Sequence, residues 1–483
     1  MWARYVRSES IPASMDEYLN AWAEFFDHYA GEIEKWHRRN SGYHAAIAKI
    51  YRSHISQGSR VLEVGSGNGD LLAAIRPDQG VGVDISGEMT SLATRKYPNL
   101  RFVTMSAEAL DLSGEQFDYI VLSDLLGYAY DIRLVFERLR PACHARTRII
   151  INWYSRLWQP ILNLAERLGL KYPQPILNWT TVNDIFNLLQ LADFQVVLQR
   201  SQVLLPRQIP FLTPLINGQV AGLPWIRHLC LTHWIVARPM GLSATSRLHR
   251  VSVICPCRNE AGNIEKLVAR IPEVGAEMEL LFVEGHSKDD TLDECYRVAK
   301  AHSHKNVRVY RQPGQGKADA VRKGFSEAKG DILIILDTDL SVAPEDLPQF
   351  YEALASGKGE FVNGSRRVYA MDPGAMRFLN LLGNRLFAAL LSWLIGQPIK
   401  DALCGTKALW RSDFDRISHY EMDHAVSDPF GDFELLLGAA KLNLKIVEIP
   451  VRYRERSYGN TNISRFGDGW LLLRIVLAAA RRR

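Results

Sequence analysis

The sequence predicts an α/β protein built from two separate, mostly parallel sheets. Three observations predict it. Strand, turn and helix patterns alternate in one series that begins at Arg60-Val61-Leu62-Glu63-Val64 and in a second that begins at Val251-Ser252-Val253-Ile254. At 483 residues the chain is too long for one core, so two or three domains are the default. Between the two series, Pro239-Met240-Gly241-Leu242-Ser243-Ala244-Thr245-Ser246 has linker chemistry, with helix and strand breakers beside small polar residues. The expected division is therefore a helical cover over 1–57, rich in Trp, Tyr and charged side chains, a first α/β domain over 58–238, a linker over 239–249 and a second domain over 250–483. The sequence shows no internal repeat.

Composition narrows the function. Hydrophobic residues make up 47% of the chain and charged residues 23%, ordinary values for folded protein. A net charge of +5 argues against a nucleic-acid binder that neutralises phosphates over a large face. The basic exception is Arg481-Arg482-Arg483, which follows the apolar run from Trp470 to Ala480. That run contains Arg474 and is shorter than the about 20 apolar residues of a bilayer span, so it reads as a solvated terminus or as a segment lying on an anionic membrane surface. Cysteines at 143, 230, 255, 257, 295 and 404 make no zinc-type spacing and read as reduced, mostly buried thiols. The start, Met1-Trp2-Ala3-Arg4, lacks the apolar core of a signal peptide, and a cytoplasmic location is expected.

In the first series, Glu63-Val64-Gly65-Ser66-Gly67-Asn68-Gly69-Asp70 is a glycine-rich turn between strand and helix. The glycines let backbone approach a ligand closely, but the spacing is not that of dinucleotide enzymes and no P-loop lysine follows. About 20 residues on, Gly82-Val83-Asp84 ends a second strand with an acid where such folds take ribose hydroxyls. Ser106-Ala107-Glu108 follows a third strand, and Phe117 to Asp124 forms a fourth with an acidic end. This ordered set resembles the class I S-adenosylmethionine-dependent methyltransferases over roughly residues 20 to 238. The resemblance implies a Rossmann-like fold with S-adenosylmethionine as cofactor. It implies Glu63, Gly65, Gly67 and Gly69 around methionine and ribose, Asp84 on the ribose hydroxyls, and Ala107 and Glu108 near adenine. Asp124 is either a strand-end cap or a catalytic or substrate contact. No spacing selects a methyl acceptor or a base among Tyr128, Tyr130, His144 and Tyr154. Leu204 to Leu212, apolar and interrupted by Pro206 and Pro210, reads as a substrate lid or a packing loop.

In the second series, the apolar run Ile332-Leu333-Ile334-Ile335 leads into Leu336-Asp337-Thr338-Asp339-Leu340. Two carboxylates one residue apart at the carboxyl end of a strand can hold a hard divalent ion. Such an ion neutralises the charge that grows on a diphosphate leaving group. Val253 to Glu260 is a strand ending at Pro256 and a polar turn, Leu280 to Thr291 is a strand ending in Glu284 followed by a helix start, and Gly316-Lys317-Ala318-Asp319 precedes the strand of the acid pair. Later come Asn363-Gly364-Ser365-Arg366, Asn384-Arg385, Asp401 to Lys407, Asp432-Phe433-Glu434 and Arg456 to Thr461. In order and spacing these pieces resemble the inverting GT-A glycosyltransferases, specifically the dolichol-phosphate mannosyltransferase and polyprenyl-phosphate glucosyltransferase group, over about residues 250 to 465.

That resemblance implies a second Rossmann-like domain that takes a GDP- or UDP-sugar and passes the sugar to a polyprenyl phosphate. Pro256, Glu260, Glu284, Lys317 and Asp337 would hold the nucleotide-sugar, and Asp337 and Asp339 an Mg²⁺ or Mn²⁺ ion. Arg366 with Arg385 would meet the acceptor phosphate, and Asp432 completes the catalytic set. Two positions depart from the group's pattern: Glu284-Gly285-His286-Ser287 replaces Asp-Asp-Gly-Ser, and Ser341 stands where some members offer a further metal ligand. Chemistry favours a phosphate acceptor independently, because a phosphate monoester with a second pKa of about 6 is largely dianionic at neutral pH and needs no base. Arginines suit its bidentate recognition. The stretch Met376 to Ile395 has a wide apolar face and reads as an interfacial helix or a core helix, with any membrane association peripheral, on the cytoplasmic face. The alternative is a hydroxyl acceptor with Asp432 or Glu434 as base, beside a non-catalytic methyltransferase-like binding module.

Overall fold

A computed structural model of the chain describes residues 14–174, 177–207, 209–223, 225–242, 248–369, 378–419, 428, 431–454, 458 and 465–481. The chain divides into two compact units, Met1–Leu242 and Ser243–Arg483. Of the Arg456 to Thr461 motif only Tyr458 lies within the described residues, and Met376, Arg377, Arg482 and Arg483 lie outside them.

In the first unit, helices Met15–Ala30, Ile33–Arg39 and Ser41–His54 precede the sheet. Ser14 starts the first of them by accepting from the Glu17 N–H at 3.3 Å. The strands are β1 (Arg60–Val64), β2 (Gln79–Asp84), β3 (Arg101–Thr104), β4 (Phe117–Ser123), β5 (Cys143–Tyr154), β6 (Phe194–Gln202) and β7 (Thr232–Pro239), in the order β3-β2-β1-β4-β5-β7-β6. The first five run parallel, and β7 is antiparallel to both β5 and β6. Pro239, the first residue of the expected linker, is thus the last residue of a strand. Four of the five β1 residues are buried, as befits a parallel strand covered on both faces.

In the second unit the strands are β8 (Val251–Cys257), β9 (Met278–Glu284), β10 (Asn306–Arg311), β11 (Ile332–Ile335), β12 (Phe361–Ser365), β13 (Lys407–Trp410) and β14 (Ile446–Pro450), in the order β10-β9-β8-β11-β13-β12-β14. Among the described residues only β13 runs against its neighbours. Alternate residues feed opposite faces: Ile254, Leu333 and Ile335 enter one apolar layer, while Val253, Ile332 and Ile334 enter the other.

Helix Phe378–Ile395 buries Phe387, Leu391, Leu394 and Ile395 in the first of these layers and leaves Leu382 and Leu386 exposed. It is a core helix with a short apolar outer strip. The apolar run before the basic tail belongs to helix Arg465–Arg481, whose Leu472, Ile475 and Val476 are buried in the same layer. This run packs against the domain and is not a solvated terminus. Among the described residues no helix is long and apolar enough to cross a membrane. All six cysteines are free and buried.

Both sheets have a switch point where successive connections leave in opposite directions, between β1 and β4 and between β8 and β11. Ligands of open α/β sheets bind outside the carboxyl ends of the strands there.

Candidate active sites

At the first switch point the turn after β1 holds Gly65, Gly67 and Gly69 at φ 78°, 51° and 79°, all left-handed. A side chain on Gly65 would meet Leu125 Cδ1 at 2.9 Å. The Asp84 carboxylate accepts from the Gly67 N–H at 2.8 Å and from the Ser86 N–H at 3.0 Å, which ties the end of β2 to the glycine turn. Glu63 is buried and its Oε2 has no hydrogen-bond partner. Burial raises the pKa of Glu63 well above the usual carboxylate range and raises that of Asp84 as well. Glu108 is buried on a short 3₁₀ turn beside Ala107 and accepts from the Tyr130 N–H at 2.8 Å; burial raises its pKa too. A lone anion in such a place is costly unless a cation or donor arrives.

Asp124 stands on the other side of the same crevice with φ 53°, a left-handed backbone. Its carboxylate accepts from the Tyr43 hydroxyl and from Asn152 Nδ2, each at 2.7 Å, and burial pushes its pKa up to about 7. Of the other residues weighed for the acceptor site, Tyr128 accepts from Gln174 Nε2 at 2.6 Å, and His144 lies 3.2 Å from Asp118 at the opposite end of β5. Helix Met15–Ala30 closes over the crevice, with Asp27 accepting from the Ser86 hydroxyl at 2.5 Å and Trp22 packing against Tyr128. Tyr43, Asn152 and Asp27 escape the sequence reading because their contacts with Asp124 and Ser86 span 28 to 81 residues.

At the second switch point Asp337 and Asp339 follow β11. Lys317 Nζ lies 2.5 Å from Asp337 Oδ1, and Asp339 Oδ1 accepts from the Ser341 N–H at 3.0 Å. Burial works against the Lys317 charge, but Asp337 and Asp432 outweigh it and raise its pKa. Asp432, the first residue of helix Asp432–Lys441, pairs with the fully buried Lys407 at 2.8 Å. Glu434, two residues on, pairs with Arg322 at 3.1 Å on a more exposed face.

Glu284 is buried at the end of β9, where it accepts from the Ser287 N–H and lies 3.2 Å from Arg311 Nε. The backbone carbonyl of Pro256 accepts from the Thr338 hydroxyl at 3.0 Å, joining β8 to the acid pair. Glu260 accepts from Asn263 Nδ2 at 2.6 Å.

Arg366 and Arg385 have different surroundings. Arg366 grips the fully buried Asp401 through Nε at 2.7 Å and Nη2 at 2.8 Å, and Asn384 Nδ2 holds the same carboxylate at 2.7 Å. Arg385 is exposed on helix Phe378–Ile395.

A model described as Methyltransferase domain matches residues 61–144, and one described as Glycosyl transferase family 2 matches residues 252–418. The chain carries a methyltransferase domain followed by a family 2 glycosyltransferase domain. It is 29% identical over 225 residues to the glycosyltransferase AglJ of Haloferax volcanii, covering 46% of this chain and 69% of that protein. It is 29% identical over 223 residues to a dolichol-phosphate mannosyltransferase of Pyrococcus furiosus, covering 44% and 59%. An undecaprenyl-phosphate 4-deoxy-4-formamido-L-arabinose transferase of Sodalis glossinidius is 26% identical over 227 residues, covering 46% and 65%. The chain thus spans between 59% and 69% of the length of these relatives.

In the glycosyltransferase domain one further residue matters that sequence reasoning placed in a motif but gave no role. A side chain on Gly405 would collide with Asp337 Oδ2 and Lys317 Nζ. A methyl group there would push aside the ends of these two side chains rather than the backbone. Gly405→Ala is expected to abolish sugar transfer by displacing Asp337 and Lys317, with far-ultraviolet circular dichroism unchanged; wild-type turnover in this variant would count against the geometry.

Proposed function

We propose that the glycosyltransferase domain moves a sugar from a GDP- or UDP-sugar to a polyprenyl phosphate with inversion, and that the methyltransferase domain transfers a methyl group from S-adenosylmethionine to an acceptor of the same pathway. The observation that carries the first part is the cluster of Asp337, Asp339 and Lys317 at the switch point, in a chain whose relatives act on dolichol and undecaprenyl phosphates.

Asp337 and Asp339 suit Mg²⁺ or Mn²⁺ bound in the way phosphate-transfer sites bind it, through one or two carboxylates with phosphate and water completing the shell. The donor set is sparse by itself, since among the described residues no group of three or more His, Cys, Asp or Glu could hold a metal. Gly405 adds no side chain of its own beside Asp337 Oδ2, where the Lys317 ammonium already lies. When bound, the ion offsets the charge that develops on the departing diphosphate. Lys317 brings an ammonium group to the same place and stabilises the same charge. Pro256, Glu260 and Glu284 border the nucleotide. Arg385 meets the acceptor phosphate, while Arg366, with Nε and Nη2 taken by Asp401, orders the Asp401 to Lys407 loop and offers Nη1. The acceptor, already ionised, attacks the anomeric carbon from the face opposite the diphosphate. A hydroxyl acceptor would need a base, and the two acids proposed for that role are engaged, Asp432 with Lys407 and Glu434 with Arg322. The reaction is tested by the anomeric configuration of the product. A glycosyl phosphate of the configuration opposite to the donor supports the reading, and a mild-acid-stable glycoside refutes it.

The methyltransferase crevice suits S-adenosylmethionine on two observations, the unpartnered buried Glu63 Oε2 and the glycine turn that admits no side chain at Gly65. S-adenosylmethionine supplies an electrophilic methyl group. Glu63 meets its cationic amino acid end, Asp84 accepts from the ribose hydroxyls, and Ala107 and Glu108 border adenine. Glu63→Gln is expected to weaken binding by roughly 1.5–3 kcal/mol, about ten- to a hundredfold, read by isothermal titration calorimetry. Affinity equal to wild type would remove Glu63 from the site. The lipid acceptor places the enzyme at the cytoplasmic face of a membrane, as a peripheral protein.

A further inference from the structure

The connection from β6 to β7 is 29 residues long, from 203 to 231, well beyond ordinary hairpin loops. It is a built structure, because Asn217 accepts from the Leu204 and Leu205 N–H groups at 2.9 and 2.8 Å and donates to the Leu205 carbonyl at 2.8 Å. Val203, Ala221 and Cys230 tuck inward, while Phe211, Leu215, Leu223, Trp225 and Leu229 stand outside. Phe211 is 93% exposed and Trp225 is 89% exposed, and Phe211 sits at φ 62°, a left-handed backbone costly for an aromatic residue.

Helix Gln159–Arg167, which has no buried residue, continues the same surface. Leu157, Ile161, Leu164 and Leu168 recur at helical spacing and are all more than half exposed, and Trp158 Nε1 donates to the Leu229 carbonyl at 2.8 Å. An apolar face of this kind on a water-soluble surface marks a binding site.

Charge selects the occupant. From Phe194 to Leu242 there is no Asp or Glu, the loop carries Arg207 and Arg227, and the one acid of helix Gln159–Arg167, Glu166, is paired with Lys171. A second copy of the chain meeting this face symmetrically would set these arginines against their own kind. An anionic lipid surface complements both the exposed rings and the arginines. The position of the loop gives the contact a purpose. Tyr154 at the end of β5 pairs with Thr232 at the start of β7, so the loop leaves the sheet at the edge that carries Asp124.

We infer that helix Gln159–Arg167 and the 203–229 segment are a docking surface for an anionic bilayer. Phe211 and Trp225 seat at the headgroup boundary, and the carboxyl edge of the methyltransferase sheet faces a lipid-borne methyl acceptor. The docking surface stands on the loop itself, while the lipid-borne acceptor rests on the function proposed above.

The test is flotation of the full chain with phosphatidylglycerol–phosphatidylcholine vesicles that contain no polyprenyl phosphate, so that failure of the sugar-transfer reading does not affect it. The wild-type chain is expected to float with these vesicles, less with pure phosphatidylcholine, and less at high salt. The double variant Phe211→Ser/Trp225→Ser should partition about tenfold or more weakly, while sugar transfer to a detergent-solubilised short polyprenyl phosphate stays at the wild-type rate. Three outcomes overturn the inference: a wild-type chain that does not float, a double variant that floats equally, or binding lost only on Leu382→Ser/Leu386→Ser. A wild-type dimer that the double variant abolishes, without flotation, assigns the face to a second copy and also overturns it.

Discussion

Asp337→Asn is expected to lower sugar transfer by about 10²–10³-fold, the usual loss when one preorganised charge-stabilising group is removed from an active site. The substitution keeps the shape of the side chain, so its effect reports charge. Asp337 touches both partners of the proposed diphosphate site: Lys317 lies 2.5 Å from its Oδ1, and the backbone of Gly405 passes its Oδ2. On the proposed reading, neutralising it weakens metal binding and releases Lys317 from its ion pair. The loss should appear in kcat more than in KM, because the cations that Asp337 positions offset a charge that grows toward the transition state. Steady-state kinetics at saturating donor check this, and a change confined to KM would reassign Asp337 to ground-state binding.

Asp401→Ala should destabilise the protein by about 3–5 kcal/mol, because it strips the counter-charge from a buried guanidinium. Asp401 is fully buried, and Arg366 is 12% exposed. Burial alone would raise the Asp401 pKa, but Arg366 outweighs it and brings the value down to about 2 from the ordinary 3.8. A carboxylate whose folded-state pKa is depressed contributes stability above its unfolded pKa and loses it as pH falls through the folded one. The contribution is therefore complete above about pH 4 and disappears toward pH 2. Chemical denaturation of wild type and variant at pH 7 and pH 3 measures it. The gap between the two proteins should narrow at the lower pH, and a gap near zero at pH 7 would show that the pair does not hold this loop.

The parts of the protein legible in the sequence are those in which a periodic signal meets a chemical one. An apolar run ending in an acid located Asp84, Glu284 and Asp337 at the carboxyl ends of strands, and strand register does the rest. The antiparallel strands β7 and β13 carry no such mark, since an apolar strand reads alike in either direction. Arg366 shows a different limit. Its motif is readable, but its bond to Asp401, 35 residues away, is not, and that bond changes a free phosphate ligand into one half engaged with the protein. The composition of the stretch ending at Ile395 serves a membrane surface and a core equally; packing against helix Arg465–Arg481 decides for the core. Residues 204–212 raised the opposite problem. Their apolarity is plain, but that Phe211 lies outside is a property of the folded loop.

The most direct measurement of the central claim is transfer of radiolabelled sugar from a panel of GDP- and UDP-sugars to a short polyprenyl phosphate in the presence of Mn²⁺. Label extractable into organic solvent, dependent on the metal and lost in Asp337→Asn, is the predicted result. Donor binding with no lipid product, or lipid product that survives Asp337→Asn unchanged, would contradict it.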